Sequence, residues 1–170
     1  MKKILTYALL ALALIHIVGF YTLSESGVNR FLDRVKSLTN AGDAKGLCDQ
    51  LADDMKLNII DHTAELDRRL GDGKINGGKT ELCTLFEQTV PMMAAGGMKV
   101  DTERQDMKVK REILLHPWTA EVAFTEKQST TIQAGQRSMT LKTESDDKYV
   151  LVMTFGGVKV KKLESEQWLQ

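Results

Sequence analysis

The segment from Met98 to Leu163 constrains the fold of this 170-residue chain most, because it predicts a series of β-strands. Residues 148–155 are rich in β-branched and aromatic side chains, and apolar residues occupy both odd and even positions. This pattern is typical of a central strand that is covered on both faces. The predicted strands are 98–113, 119–132, 138–144, 148–155 and 158–163, with a turn or bulge at 145–147. A β-sheet is therefore the structure that the rest of the chain covers.

The residues before this segment predict mainly helices. Apolar residues at spacings of three and four predict a helix from Val28 to Leu38, ended by Asn40-Ala41-Gly42. Asp43 is expected to cap a second helix, whose apolar stripe comprises Ala44, Leu47, Cys48, Leu51 and Met55. A short strand at 57–62, a glycine-rich loop around 71–78 and a third helix follow, and Gly96-Gly97 ends this helix.

The N-terminus carries the strongest indication of location. Lys2-Lys3 precedes an apolar run over residues 4–23, which is long enough to span a bilayer. It predicts either a cleaved secretory signal peptide or an uncleaved anchor, and the best cleavage site, Ser24-Glu25-Ser26, is a poor one. Residues 1–26 are accordingly predicted to be a signal peptide or membrane anchor, and residues 27–170 a domain. In a bacterial host that domain would lie on the periplasmic side of the inner membrane, anchored there or secreted into the periplasm.

The charge balance argues against a nucleic-acid partner. The chain has 23 basic and 23 acidic residues and a formal net charge of zero. A nucleic-acid-binding surface usually requires an excess of positive charge. The hydrophobic content of 42% is that of a globular protein, and the length fits one domain.

Two cysteines, Cys48 and Cys83, belong to the predicted exported domain. In an oxidising compartment they would form a disulfide, and the alternative is that both are small buried hydrophobic residues. The three histidines, at positions 16, 62 and 116, show no metal-ligand spacing with them. No metal site and no cofactor are predicted.

Residues Gly73 to Thr80 match the phosphate-binding pattern G-x-x-x-x-G-K-T. A phosphate-binding loop of this kind follows a buried parallel strand, whereas the preceding residues 65–72 form a charged run. We therefore interpret the match as a loop before a helix N-terminus.

Three helices around a short first strand, followed by a long antiparallel meander, resemble the nuclear-transport-factor-2-like superfamily, which includes ketosteroid isomerases and polyketide cyclases. The local likeness lies in Gly78-Lys79-Thr80-Glu81-Leu82 and in the closing hairpin at 155–164. The resemblance covers residues 28–166. It implies an α+β fold in which three N-terminal helices wrap a curved antiparallel sheet into a cone, here preceded by an N-terminal hydrophobic helix. It also implies a possible homodimer through the outer sheet face, where Val150, Val152 and Thr154 are candidates.

Members of this superfamily include enzymes, partner-binding proteins and domains of membrane assembly factors. The candidate catalytic residues in this chain are Asp61 and His62, but adjacent strand residues point to opposite faces, which argues against their convergence. We therefore predict an exported, non-enzymatic domain that binds a small apolar ligand or a protein partner. The alternatives are a cofactor-free isomerase, cyclase or hydrolase that uses Asp61 or His62, and a component of a cell-envelope assembly.

Overall fold

The computed structural model describes residues 17–62, 74–112, 118–134, 137–154 and 156–169. It contains three helices after a short helical stretch at 17–22. They are α1 (Glu25–Ala41), α2 (Ala44–Asp49) and α3 (Lys79–Ala95). The strands are β1 (Leu51–Asp61), β2 (Lys74–Gly78), β3 (Lys99–Glu112), β4 (Thr119–Ala134), β5 (Arg137–Thr154) and β6 (Gly157–Leu169). The α+β class confirms the prediction, whereas the predicted N-terminal hydrophobic helix lies largely outside the described residues.

Capping side chains set the helix boundaries. The Ser24 hydroxyl accepts a hydrogen bond from the Gly27 N–H at 3.2 Å and caps α1, which ends at Gly42 with φ +75°. Asp43 caps α2 by accepting from the Gly46 N–H at 2.8 Å, as predicted.

The predicted second helix was too long, because it ends at Asp49, and Leu51 and Met55 lie on β1. Their four-residue spacing also fits a strand, in which Met55 and Leu57 are buried while Lys56 between them is exposed.

The six strands form one curved sheet in the order β2-β1-β6-β5-β4-β3. All neighbouring strands run antiparallel except β1 and β6, which are parallel. The prediction of a wholly antiparallel sheet was wrong at this pair. A parallel pair needs a long connection, and here the rest of the domain lies between the two strands in sequence.

Residues 74–78 form the edge strand β2, not the predicted loop, and Ile75 pairs with Ile59 of β1. Residues 71–73 of that predicted loop lie outside the described residues. The Gly78 N–H donates to the Glu81 carboxylate at 2.9 Å, and Lys79 contacts Asp53 of β1 at 2.7 Å. The Gly-Lys-Thr run therefore begins α3 and continues an extended strand, so residues 74–78 do not curl around a phosphate.

The predicted turn or bulge at 145–147 was also wrong, because β5 is continuous from Arg137 to Thr154 and pairs regularly with both neighbours at these residues. Asp146 pairs with Thr125 on one side and with Glu166 on the other. The polar side chains find partners within the sheet: Thr125 donates to Asp146 at 2.9 Å, and Ser145 donates to Asp147 at 3.0 Å. A sequence typical of a turn is therefore accommodated in a strand.

The main core lies between the inner face of the sheet and the helices. It includes Val28, Phe31 and Leu32 of α1, Leu82 of α3, and Ala120, Val122, Phe124, Leu151 and Val160 of the sheet. A smaller cluster of Ala44, Leu47 and Val90 joins α2 to α3.

The predicted disulfide is confirmed, because Cys48 of α2 is bonded to Cys83 of α3, with a Cα–Cα distance of 5.4 Å. Within the described ranges, no helix has both the length and the hydrophobicity needed to cross a membrane.

Candidate functional site

A cavity of about 210 Å³ opens between α1, α3 and the inner face of β3, β4 and β5. Its apolar lining comprises Leu32, Val35, Met93, Val100 and the ring of Tyr149. Its polar lining comprises Lys36, Thr39, Thr102, Arg104, Glu126 and Gln128. Small-molecule sites typically combine apolar walls with a few convergent polar groups, and this cavity has a larger polar share and a smaller volume than the roughly 300–1,000 Å³ of most ligand pockets.

A β-bulge in β3 determines which side chains reach this cavity. Asp106 and Met107 together oppose Phe124 of β4, and Asp106 has φ +54°. On one side of the bulge, Val109 pairs with Val122, and both pack in the core. On the other side the phase has shifted by one residue, so Arg104 is the residue that faces inward opposite Glu126.

Arg104 is the centre of the polar lining. Its Nε donates to Glu126 at 2.9 Å, its Nη1 donates to Asp33 of α1 at 2.9 Å, and its Nη2 donates to Thr102 at 3.3 Å. The Arg104 side chain is only 9% exposed and Glu126 is 18% exposed, so their contact is largely shielded from water, whereas Asp33 is 59% exposed. Arg104 therefore joins two strands to α1 across the mouth of the cavity.

Two carboxyl groups beside Arg104 are perturbed by burial. Burial raises the pKa of Glu126, although the Arg104 guanidinium opposes this rise. Burial also raises the pKa of Asp147, and hydrogen bonds from Ser165 and Ser145 partly offset it. The interior thus holds two acids that favour protonation more than exposed carboxyls do.

Tyr149 supplies a hydroxyl to the same region. Its ring stacks on Phe124, with centroids 5.5 Å apart and planes 11° apart. Burial raises its pKa well above 10, and the Asp147 carboxylate adds to the rise. The phenol is therefore neutral at physiological pH, and it donates no hydrogen bond to any residue in the described ranges, so its proton is available to a ligand.

The two candidate catalytic residues from the sequence lie elsewhere. Asp61 is the last residue of β1, opposite Gln167, and His62 follows it. His62 Nε2 lies 2.9 Å from the Glu166 carboxylate, and its ring stacks on Trp168 with centroids 5.7 Å apart. Neither Asp61 nor His62 lines the interior cavity. Their catalytic role stays a prediction, and the structure does not bring them to the buried acids.

The described part of the chain contains no group of three or more His, Cys, Asp or Glu side chains arranged to hold a metal ion.

The outer face of the sheet has a broader depression of about 370 Å³, bordered by Lys108, Asp146, Lys148, Glu164 and Glu166. These side chains are at least partly exposed to solvent. Val150 lies beside this depression and is partly buried, and Val152 is buried. The homodimer through this face stays a prediction.

The sequence analysis missed Arg104, Glu126 and Asp147, yet two of the three are in phase with apolar residues of the strands that it predicted. Glu126 follows Val122 and Phe124 at intervals of two, so it shares their inward face. Asp147 precedes Tyr149 and Leu151 in the same way. Extending the alternation into polar stretches would have found both acids. The inward position of Arg104 could not be found in this way, because the bulge at Asp106 shifts the inward–outward alternation of β3 by one residue.

The pH dependence of stability provides a test of the buried acid. Because burial raises the pKa of Asp147 in the folded state, the folded protein holds this proton to a higher pH than the unfolded chain. Its contribution is therefore most favourable below the unfolded pKa of about 3.9 and is lost as pH rises through the folded pKa. We expect Asp147→Asn, which cannot ionise, to gain stability relative to wild type as pH rises from about 3.5 to 7.

Urea unfolding of both proteins across this range measures the difference directly. Exposed acids with lowered pKa, such as Asp53 and Asp101, titrate in both proteins and cancel in the difference. Parallel stability curves for wild type and Asp147→Asn would show that the buried carboxyl does not titrate as inferred.

No protein-family model matches the sequence, and no curated protein shows significant similarity to it. Among solved structures, the chain is similar to an NTF2-like protein with a cystatin-like fold from Novosphingobium aromaticivorans. That match has a TM-score of 0.58 and 15% identity, and covers 92% of this chain and 86% of the other. A domain with a cystatin-like fold from Nostoc punctiforme matches with a TM-score of 0.55 and 12% identity, over 88% of this chain and 80% of the other.

The β subunit of benzoate 1,2-dioxygenase from Burkholderia mallei matches with a TM-score of 0.56 and 12% identity, over 86% of this chain and 91% of the other. Identities this low establish the fold and not the activity. The helix and strand order, the curved six-stranded sheet and these matches together show that this chain has the NTF2-like, cystatin-like fold.

Proposed function

We propose that this domain binds a small, largely apolar molecule that carries a hydrogen-bond acceptor, in the cavity between α1, α3 and the inner sheet face. The observation that carries this proposal is Tyr149, which lines a cavity of mixed apolar and polar side chains and whose hydroxyl is a neutral donor. The groups around it already have partners, since Arg104 donates to Glu126, Asp33 and Thr102. A ligand carbonyl or hydroxyl oxygen would accept from Tyr149 while its apolar part contacts Leu32, Val35 and Met93.

Small cyclic ketones are suitable probes, because they combine an apolar ring with one acceptor. We expect saturation-transfer NMR to detect their binding to the wild-type protein. Val100→Phe should abolish binding by filling the cavity, and Tyr149→Phe should weaken it about tenfold, the effect of losing a hydrogen bond of about 1.4 kcal/mol.

Lys110→Phe is the matched control, because Lys110 lies on the same strand but borders the outer sheet face. This variant should bind the ketones as wild type does. Equal signals from Val100→Phe and Lys110→Phe would place any binding outside the cavity and contradict the proposal.

A second candidate function is cofactor-free acid–base chemistry in the same cavity. The observation that favours it is the raised pKa of Glu126, whose carboxyl lines the cavity near the Tyr149 hydroxyl. A base and a donor on one wall can move a proton next to a ligand carbonyl. Repeating the NMR experiment in D2O distinguishes the two functions: exchange of ketone α-protons that Glu126→Gln abolishes would favour the enzyme, and binding without exchange would favour the binding domain.

We also propose that the domain works on the periplasmic side of a bacterial inner membrane, as part of the cell envelope. The apolar run after Lys2-Lys3 supports export, and the disulfide between Cys48 and Cys83 is typical of an oxidising compartment. A protein partner in an envelope assembly would meet the outer sheet face, where lysines and acidic residues alternate around Ala123 and Val150.

A further inference from the structure

Residues 17–24, which we call the neck, connect the apolar run to α1. Residues 17–22 are helical, and the Leu23 N–H continues the pattern by donating to the Gly19 carbonyl at 3.0 Å. The Ser24 N–H donates to the Tyr21 carbonyl at 3.3 Å, while the Ser24 hydroxyl caps α1. Ser24 therefore closes the last turn of the neck and also caps α1.

The neck packs tightly on the domain. Leu23 is 0% exposed and belongs to the main core, together with Val28 and Trp118. A Cβ at Gly19 would overlap the Trp118 ring, and a Cβ at Gly27 would overlap the Thr22 carbonyl oxygen. Only glycine permits these approaches, so the neck lies in direct contact with the domain.

This packing bears on the fate of the N-terminus. Cleavage at Ser24-Glu25-Ser26 would remove Leu23 from the core and would leave Trp118 without the backbone it covers. A mature protein that began there would carry a cavity in its core. The neck is thus part of the folded domain.

The opposite side of the neck is apolar and exposed to solvent. Ile17 is 52% exposed, Val18 51%, Phe20 44% and Tyr21 66%. The Arg111 guanidinium lies 4.1 Å from the centre of the Phe20 ring, and its Nη1 donates to the Phe20 carbonyl at 3.3 Å. The neck therefore presents aliphatic and aromatic side chains together with one fixed cation.

We propose that the chain keeps its N-terminal apolar run as a membrane anchor and that the exposed side of the neck lies in the lipid interface, so that the domain sits directly against the bilayer. The proposal rests on the export proposed above and is independent of the ligand cavity. From Ile4 to Tyr21 there are 18 residues, about 27 Å as a helix, against a hydrocarbon core of about 30 Å. Spanning the bilayer therefore needs the neck residues at lipid depth, which leaves no flexible linker.

The chemistry of the exposed side favours lipid over a protein partner. Tyr and Trp are enriched where a membrane protein crosses from hydrocarbon to water, and Tyr21 occupies this position after the apolar run. Arg111 would lie at the level of the anionic headgroups, which attract basic side chains. The neck also continues directly from the only long apolar run in the sequence.

The test uses the full chain reconstituted in vesicles of phosphatidylethanolamine and phosphatidylglycerol. Among the described residues no cysteine is free, because Cys48 and Cys83 are bonded, so one introduced thiol can be labelled selectively with an environment-sensitive fluorophore. Val18→Cys and Tyr21→Cys probe the neck, and the exposed Ser138→Cys at the far end of β5 is the control. We expect doxyl-labelled lipids to quench the two neck labels several-fold more than the label at 138.

Three results would overturn the proposal. The first is an intact mass, for protein recovered from a bacterial host, that shows removal of residues through 26 in place of the full 170 residues. The second is equal quenching at 18, 21 and 138, which would place the neck away from lipid. The third is a fluorophore at 18 or 21 whose emission is shifted to the blue but is not quenched by doxyl lipids. The neck would then be covered by another copy of the protein and not by lipid. Ketone binding, measured on the same samples, reports on the cavity separately.

Discussion

Leu23→Ala is expected to lower the free energy of unfolding by about 2–5 kcal/mol, as for other large-to-small substitutions at fully buried sites. Leu23 is 0% exposed and contacts the same core as Val28 and Trp118. Because Gly19 and Gly27 hold the backbone close to its neighbours, the surrounding structure has little freedom to close the cavity. Denaturant unfolding of the detergent-solubilised full chain measures the change.

Val18→Ala is the matched control, because Val18 lies on the same helical stretch and is 51% exposed. Exposed substitutions usually change stability by less than about 0.5 kcal/mol. If Leu23→Ala were as mild as Val18→Ala, the neck would not be part of the cooperative domain, and the inference about its retention would lose its basis.

Removing the disulfide is the second change with a large expected effect. The double variant Cys48→Ser/Cys83→Ser should lose about 2–5 kcal/mol, since the bond restricts the unfolded chain across a separation of 35 residues. The short helix α2 depends on this link, because its own core contribution is limited to Ala44 and Leu47. Thermal and urea unfolding should both show the loss.

Reductant provides the control for this variant. It should lower the stability of the wild-type protein toward that of the double variant and leave the variant unchanged. The same two thiols test the proposed export: in acid-quenched cells, a thiol reagent should not modify Cys48 and Cys83 if the domain is periplasmic. Reduced, reactive thiols would place the domain in the cytoplasm.

The sequence predicted the helices and strands where local signals were consistent. Ser24 and Asp43 are good caps, Gly42 and Gly96 follow their helices, and the apolar spacing of α1 has one interpretation. The predictions were wrong where the same residues fitted both a helix and a strand. Leu51 and Met55 suit a helix by their spacing, but Met55 and Leu57 alternate around Lys56 in a strand. The parallel pairing of β1 with β6 joins residues far apart in sequence, so no local sequence pattern predicts it.

The polar interior was harder to predict because its residues resemble surface residues. Ser145-Asp146-Asp147 has the composition of a turn, and only pairing with β4 and β6 keeps it extended. The neck posed the converse difficulty. Leu23 ends an apolar run whose composition suits lipid as well as a protein core, and hydropathy cannot distinguish the two environments. The contact between Gly19 and Trp118 reveals the difference, and it joins residues far apart in sequence.

The bulge at Asp106 makes the chemistry of the interior depend on a single insertion. One additional residue shifts the inward–outward alternation of β3, so the half that carries Val109 and the half that carries Arg104 differ in phase by one residue. A substitution in one half does not change which residues face inward in the other. Deleting that residue would turn the guanidinium toward solvent and bring Glu103 or Gln105 inward in its place. A one-codon change in length could thus convert a cationic wall into an acidic or a neutral one while the fold is kept, which gives relatives of this domain a short route to new ligands.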